Sequence, residues 1–437
     1  MEIARIIGGR ELHGEVFVSG SKNASLPILA ACLLTSEECI VENVPDLSDI
    51  RLMVDILRNV GAIVEYVDAH TLRICAADIT PRAPYDAVKQ MRASVCLMGA
   101  FLGRMGHSSV SLPGGCVIGQ RPIDLHIKGF KKLGCAVDIQ NGYLEVKGGN
   151  MIGTHIFLGG RYGSTVTGTA NVLMAALGAR GVTVIESAAC EPEIIDLCLF
   201  LRKQGAAIGG IGTNTLTIVG QRKLHGCRHR IIGDRIEAGT FICAGLMTKG
   251  CITIRGNTPK VGGAVYDKLE EMGANVKEFE DGTIVVDSKK QKLRSAEIIT
   301  LPYPGFPTDL QAQFCTLLSC IDGISVVSER IYPGRFMHIP ELNRMGADIM
   351  LEESHAIIHG SSKRKLTGTQ LMASDLRASA ALYLAGLCAE NETLIHRVYH
   401  LDRGYEQFEE KLCNLGANIE RLQEANLTKE EGLQRAS

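Results

Sequence analysis

The chain has 437 residues, enough for two or three domains, and 46 % of them are apolar, ample for buried cores. It carries 46 Lys and Arg against 48 Asp and Glu, so no broad basic field points to nucleic acid or an anionic membrane, and any anion site has to be built locally. Fifteen cysteines are an odd count without CxxC spacing, which argues against a disulfide framework and a zinc cluster and suits a reducing compartment.

Met1-Glu-Ile-Ala-Arg5 lacks the apolar run of a signal peptide. Apolar runs such as Leu26–Thr35 are too short to cross a bilayer. The expectation is a soluble cytoplasmic protein with no membrane insertion. Tryptophan is absent, so the cores must be built from Ala, Val, Ile and Leu.

Internal repetition is the strongest structural signal. A helical segment that ends in glycine and runs into a short strand pattern recurs six times, at Gly61, Gly134, Gly205, Gly273, Gly346 and Gly416. The spacings are 73, 71, 68, 73 and 70 residues. Each glycine falls where a helix carboxy-terminal cap needs positive φ. Within each unit the pattern reads strand, helix, strand, helix and a final pair of short strands. The first helices, beginning at Leu26, Ala93, Ala170, Gly239, Ala312 and Ala378, are apolar nearly all round and belong inside. The second helices, such as Ile50–Val60, are amphipathic and flank the sheets. Six units divide into three and three, with the basic stretch 220–234 as the crossover. The expected outcome is an inverted α/β architecture of two domains, with a ligand cleft between the halves. The residues after Arg421 are polar, and 426–437 form a tail.

The starts of the buried helices carry residues that do not fit a core. In chain order they are Lys22-Asn23, Arg92, Ser164-Thr165-Val166-Thr167, Asp234-Arg235 with Glu237, Thr308-Asp309, and Asp375 with Arg377. A helix amino terminus holds unpaired N–H groups and partial positive charge, so several together would bind a multiply anionic ligand. At any one position the alternative is a helix cap or a paired polar side chain.

The second helices start with another ring: Asp46 to Asp49, the Cys116 loop, Glu191-Pro-Glu193, Asn257-Thr-Pro259, Tyr332 to Arg335, and Asp402 to Tyr405. Proline at a helix start is ordinary punctuation. The loop member differs: Leu112-Pro-Gly-Gly-Cys-Val-Ile-Gly-Gln-Arg-Pro-Ile-Asp-Leu-His126 is longer and richer in glycine. A thiol there, beside Arg121, sits in a positive field that lowers its pKa. The competing reading is a small core cysteine. Asp124 and His126 follow, the latter read as a supporting or capping residue. Asp309 reads either as an N-cap or as a general base for a sugar hydroxyl.

Six ordered motifs carry a resemblance over nearly the whole chain. They are Gly20-Ser-Lys-Asn-Ala24, the Leu112–His126 stretch, Phe306-Pro-Thr-Asp-Leu-Gln-Ala-Gln-Phe314, Arg335-Phe-Met-His338, Asp375-Leu-Arg-Ala-Ser379 and His400-Leu-Asp-Arg-Gly-Tyr-Glu406. In these the sequence resembles the UDP-N-acetylglucosamine 1-carboxyvinyltransferases, a family of enolpyruvyl transferases that opens peptidoglycan synthesis. The resemblance implies an EPSP synthase-like α/β fold of two inside-out domains, each of three βαβαββ units of about 70 residues. It assigns 22–233 to the first domain, and 1–21 with 234–425 to the second.

The implied reaction transfers the enolpyruvyl group of phosphoenolpyruvate to the 3′-hydroxyl of UDP-N-acetylglucosamine and releases phosphate, with no metal and no cofactor. By resemblance, Lys22, Arg121 and Arg403 clamp phosphoenolpyruvate, and Asn23 and Arg92 line the site. Asp309 takes the hydroxyl proton and Cys116 is the acid at the methylene carbon. Arg121, Pro122, Ile123, Asp124, Leu125, Asp309 and Ile331 match positions that hold the UDP-sugar, as does Arg335 among the substrate contacts. Asp375 and Arg377 support a central charge network. Fixed cations would stabilise charge in the tetrahedral step.

The run Gly159–Gly168 departs from the family pattern, which has a lysine just before the turn taken to bind the diphosphate. Ser164, Thr165, Val166 and Thr167 occupy that turn here, with Arg161 the candidate replacement charge. Rival readings are the sister enzyme acting on shikimate 3-phosphate, an RNA 3′-phosphate cyclase-like enzyme, and a non-catalytic sensor of UDP-sugar.

Overall fold

The computed structural model of the protein describes residues 2–83, 85–88, 92–111, 123–221, 223–256, 261–289 and 291–424. Cys116, Arg121 and Pro122 lie outside the described residues, as do 257–260 and the polar tail 426–437.

Six helices end in the same way. Ser48–Asn59, Asp124–Lys132, Pro192–Lys203, Gly263–Glu271, Ile339–Arg344 and Phe408–Asn414 each stop two residues before a glycine of the repeat. All six glycines have positive φ, from 78° at Gly273 to 106° at Gly61 and Gly416. In the first, Gly61 N–H donates to Arg58 O and Ala62 N–H donates to Leu57 O, both at 3.0 Å. The same pair of bonds recurs at the other five, ending with Gly416 to Cys413 and Ala417 to Leu412. This is the Schellman arrangement, which satisfies helix carbonyls and turns the chain out into a strand.

Two compact units result, Gly20–Gly233 and Met1–Ser19 with Asp234–Ser437. Each holds three four-stranded sheets of one pattern. In Gly20–Gly233, His155–Phe157 runs parallel to Val182–Glu186, which pairs antiparallel with Thr215–Val219, which in turn pairs with Ala207–Gly209. The parallel pair requires a crossover, supplied by the helix Val166–Ala176. Strand residues alternate between buried and open faces, as at Val182–Glu186, so each sheet covers the core on one side only.

The helices inside are buried nearly all round. Gln311–Ser319 buries all nine residues, Arg235–Met247 twelve of thirteen and Leu376–Cys388 eleven of thirteen. Ser48–Asn59, by contrast, buries one stripe, Ile50, Met53, Val54, Ile56 and Leu57 among it. Strands outside and helices inside make the inside-out α/β arrangement. Small residues let the central helices touch backbone to backbone: a Cβ at Gly99 would lie 2.3 Å from Asn171 O, and one at Gly103 2.3 Å from Met174 O.

The repeats are not all contiguous, which differs from the expected chain-order pattern. In the first repeat the opening strand is Arg228–Arg230, parallel to Cys39–Glu42. In the fourth it is His13–Phe17, parallel to Cys251–Arg255. In the sixth, Glu2–Ile7 lies between Glu392–His396 and Asn418–Gln423. The physical reason is edge satisfaction: without these remote strands each of the three sheets leaves a row of N–H and C=O groups open. The buried helix of the second repeat also starts differently, as a 3-10 turn Arg92–Cys96 that becomes α-helical at Leu97.

Candidate active site

In Gly20–Gly233 the helix Lys22–Ala31 is capped by Ser21, whose hydroxyl accepts from Ala24 N. Its first residue, Lys22, is nearly buried, and its Nζ lies 2.7 Å from Asp49 Oδ2 at the start of Ser48–Asn59. Asn23 beside it is half-buried. The ammonium is thus fixed by the first turn of the next helix. Arg92 opens the 3-10 turn of the second repeat.

Ile123 precedes Asp124–Lys132, with Asp124 exposed and Leu125 half-buried. The glycine-rich run forms a tight turn, Gly160 N–H to Gly163 O at 2.9 Å and the reverse at 3.1 Å. A Cβ at Gly160 would come within 3.0 Å of Leu125 Cδ1. After it, Ser164, Thr165, Val166 and Thr167 lead into Val166–Ala176, and Thr165 Oγ1 caps Gly168 N at 3.2 Å. Arg161 is exposed over the Tyr162 ring. His126 is buried and ties this start together: its Nε2 meets Thr167 Oγ1 at 3.3 Å and its Nδ1 meets Asn171 Nδ2 at 2.9 Å. The supporting role read for His126 is what the geometry shows.

In the other unit Asp309 is the centre. It sits in the 3-10 turn Thr308–Leu310 and takes Arg335 Nη1 at 2.7 Å and Arg377 Nη2 at 2.9 Å. Burial would raise its carboxyl, but the charges of Arg377 and Arg335 outweigh it and hold the group well below the usual carboxylate range. Among the described residues, Arg335 Nε and Arg377 Nη1 are buried without a hydrogen-bond acceptor. Two desolvated guanidinium donors left open are costly, about 1–3 kcal/mol each, and suited to an incoming anion.

Asp375 caps Leu376–Cys388, accepting from Arg377 N and Ala378 N at 2.9 and 3.1 Å. It also lends charge to Arg335. Tyr405 lies under Arg377 and hydrogen-bonds Thr240 Oγ1 at 2.8 Å and Gln313 Nε2 at 3.2 Å. His338 is buried, and its desolvation pushes the imidazole down to about 4, so it is neutral. Arg403 ends the turn Val398–Arg403, whose Asp402 is gripped by both outer nitrogens of Arg421. Ile331 donates its N–H to Glu329 Oε1.

A family model described as EPSP synthase (3-phosphoshikimate 1-carboxyvinyltransferase) matches residues 6–412. A UDP-N-acetylglucosamine 1-carboxyvinyltransferase of Methylacidiphilum infernorum is 54 % identical over 422 residues, covering 97 % of this chain and 99 % of the relative. One from Magnetococcus marinus is 48 % identical over 97 % of this chain and all of its own. The chain belongs to the UDP-N-acetylglucosamine 1-carboxyvinyltransferase family.

Among solved structures, the enolpyruvyl transferase NikO of Streptomyces tendae matches with a TM-score of 0.85 at 25 % identity, over 96 % of this chain and 98 % of its own. EPSP synthase of Acinetobacter baumannii matches with a TM-score of 0.73 at 19 % identity and shows the same fold. For a chain of this family the described residues fall into two groups. Lys22, Asn23, Ile123, Asp124, Leu125 and Ser164 to Thr167 belong to Gly20–Gly233, whereas Asp309, Ile331, Arg335, Asp375, Arg377 and Arg403 belong to the other unit. Sequence reasoning named these but passed over Asp49 as the counter-charge of Lys22, and Glu329 and Tyr405 as supports. Asp49 was recognisable as an acid in a helix first turn; Glu329 had no comparable signal. Among the described residues no helix is long and apolar enough to cross a membrane.

Proposed function

We propose that the chain transfers the enolpyruvyl group of phosphoenolpyruvate to the 3′-hydroxyl of UDP-N-acetylglucosamine and releases phosphate, the first committed step of peptidoglycan synthesis, in the cytoplasm. Cys116 gives a proton to the methylene carbon of phosphoenolpyruvate while the sugar oxygen bonds to the neighbouring carbon. The hydroxyl proton passes to Asp309. Loss of phosphate, with a proton leaving the new methyl group, then restores the carbon–carbon double bond. Lys22, Arg121 and Arg403 hold the phosphate and carboxylate, with Asn23 and Arg92 beside them. Arg121 to Leu125 and Ile331 hold the UDP-sugar, and Ser164 to Thr167 its diphosphate.

The observation that carries this reading is Asp309 ionised between Arg335 and Arg377, each with a buried donor unused. A general base works best with a pKa near the operating pH. Anions that engage the open arginine donors draw positive charge off Asp309 and raise its basicity when substrate arrives.

The test is phosphate release from phosphoenolpyruvate with UDP-N-acetylglucosamine or with shikimate 3-phosphate as acceptor. Release only with the latter sinks the reading. No release with either, while UDP-N-acetylglucosamine still binds, marks a sensor.

A further inference from the structure

We propose that Glu329 is a positioning residue that holds Asp309 and Arg335 in one fixed geometry, an inference that rests on Asp309 being the base. Glu329 follows the strand Gly323–Ser328 and is 0 % exposed. Its Oε1 accepts from Thr300 Oγ1 at 2.7 Å, Ile331 N at 2.8 Å and Tyr332 N at 2.9 Å. Its Oε2 accepts from Thr308 Oγ1 at 2.9 Å. All four donors are neutral. A buried carboxylate without a cation is costly, and full hydrogen bonding is what makes it tolerable.

What the four bonds accomplish is specific. The Thr308 hydroxyl has one proton, and Glu329 takes it. The oxygen must therefore present a lone pair elsewhere, and it does so to Arg335 Nη1 at 3.0 Å. The same Nη1 donates to Asp309 Oδ1 at 2.7 Å. On the other side, Glu329 pins the backbone at Ile331 and Tyr332, and Tyr332 O accepts from Arg335 N at 2.8 Å. Thr300 Oγ1 also accepts from Arg330 N at 2.9 Å. One carboxylate thus ties the turn bearing Asp309 to the segment bearing Ile331 and Arg335. The charges that face Asp309 are Arg335 and Arg377, with Asp375 and Asp234 acting on those arginines and Tyr405 beside Arg377.

Glu329→Gln keeps the volume but not the acceptors. Its oxygen serves the three donors on the Oε1 side, so its amide faces Thr308. The Thr308 oxygen then accepts from that amide, its proton loses the acceptor that Glu329 provided, and the turn shifts to find another, which loosens the Arg335–Asp309 pair. The expected result is that the Asp309 carboxyl, followed by 13C NMR, titrates at higher pH than in the wild type. The acid limb of kcat moves with it, kcat falls by about 10-fold because the base is no longer held in place, and KM for phosphoenolpyruvate, whose anionic groups are assigned to Lys22, Arg121 and Arg403, stays within about twofold. Thr308→Val, which removes the hydroxyl linking Glu329 Oε2 to Arg335 but leaves the three bonds to Oε1, moves the titration the same way by less, and carries the test if Glu329→Gln does not fold. An unmoved Asp309 titration in the folded variants overturns the proposal. A titration that moves while the kcat profile does not supports the positioning and removes Asp309 as the base.

Discussion

Asp309→Asn removes one negative charge from between two cations and keeps the side-chain shape. Arg335 is 5 % exposed and Arg377 3 %, so neither can recover the loss by turning to water. The asparagine oxygen still accepts from one guanidinium, but its amide then meets the other donor to donor. Breaking a buried ion pair from one side costs about 3–5 kcal/mol. Mutual relief is small because the two arginines now repel one another. Expected is a loss of about 3 kcal/mol in the unit carrying Asp309, or about 6–12 °C in its melting temperature.

The pH dependence gives the mechanism its sharper test. Asp309 has a folded pKa held below its unfolded value, first against burial and then by Arg377 and Arg335. Its contribution is therefore fully present above the unfolded value near 3.9 and is lost as pH falls through the lower folded value. The gap between wild type and variant should be constant from neutral pH to about 5 and close only below about 4. The assay is urea unfolding followed by circular dichroism, because the chain has no tryptophan to report by fluorescence. A gap under about 1 kcal/mol at neutral pH, or one that closes between neutral pH and 5, refutes the reasoning. Turnover should fall by about 10²–10⁴-fold, as for loss of a general base.

Cys116→Ala should lose most phosphate release while still binding UDP-N-acetylglucosamine, and wild-type rates would remove Cys116 from the mechanism. By family resemblance the wild type should be inactivated by fosfomycin, with the mass added to the peptide containing Cys116. Iodoacetamide at neutral pH should label that peptide before those of Cys96 and Cys198, whose thiols burial pushes up to about 12; equal labelling rates in the native protein would count against it. Gly99→Ala should cost about 1–3 kcal/mol, because its Cβ meets Asn171 O at 2.3 Å, whereas Gly149→Ala, with nothing within 4 Å, should be near neutral in the same melt.

The regular part of the fold was legible because its signal is local. A Schellman glycine is fixed by the two residues' worth of backbone around it, so six of them could be counted from the sequence and each has the positive φ expected. The strands that complete three of the sheets were not legible in the same way. Nothing in Glu2–Ile7 says that Ile3 faces His396 and Leu422, since the pairing spans nearly the whole chain. The 3-10 starts at Arg92 and Thr308 also escaped, because the apolar pattern runs on through them. For the site, residue types were readable and meetings were not. Asp309, Arg335 and Arg377 were each singled out, yet only the fold brings both arginines within 3 Å of Asp309. Glu329 was missed because a lone glutamate just after a strand carries no burial label in the sequence.

The two readings of the helix starts, caps or anion sites, turn out to compete for the same groups. Ser21 takes Ala24 N, Thr165 takes Gly168 N, Asp234 takes Ile236 N and Glu237 N, and Asp375 takes Arg377 N and Ala378 N. Amides already bound to their own caps are poor donors for a ligand, so capping reduces the anion affinity of these helix amino termini. At Asp234 and Asp375 the cap is itself a carboxylate, which further offsets the positive end of the helix. The open donors lie instead on side chains, at Arg335 Nε and Arg377 Nη1. Their affinity for an anion is set by how firmly Asp309 holds the other face of each guanidinium. The strength of the base therefore depends on how both arginines are held, and any residue that fixes the Asp309–Arg335 contact acts on it.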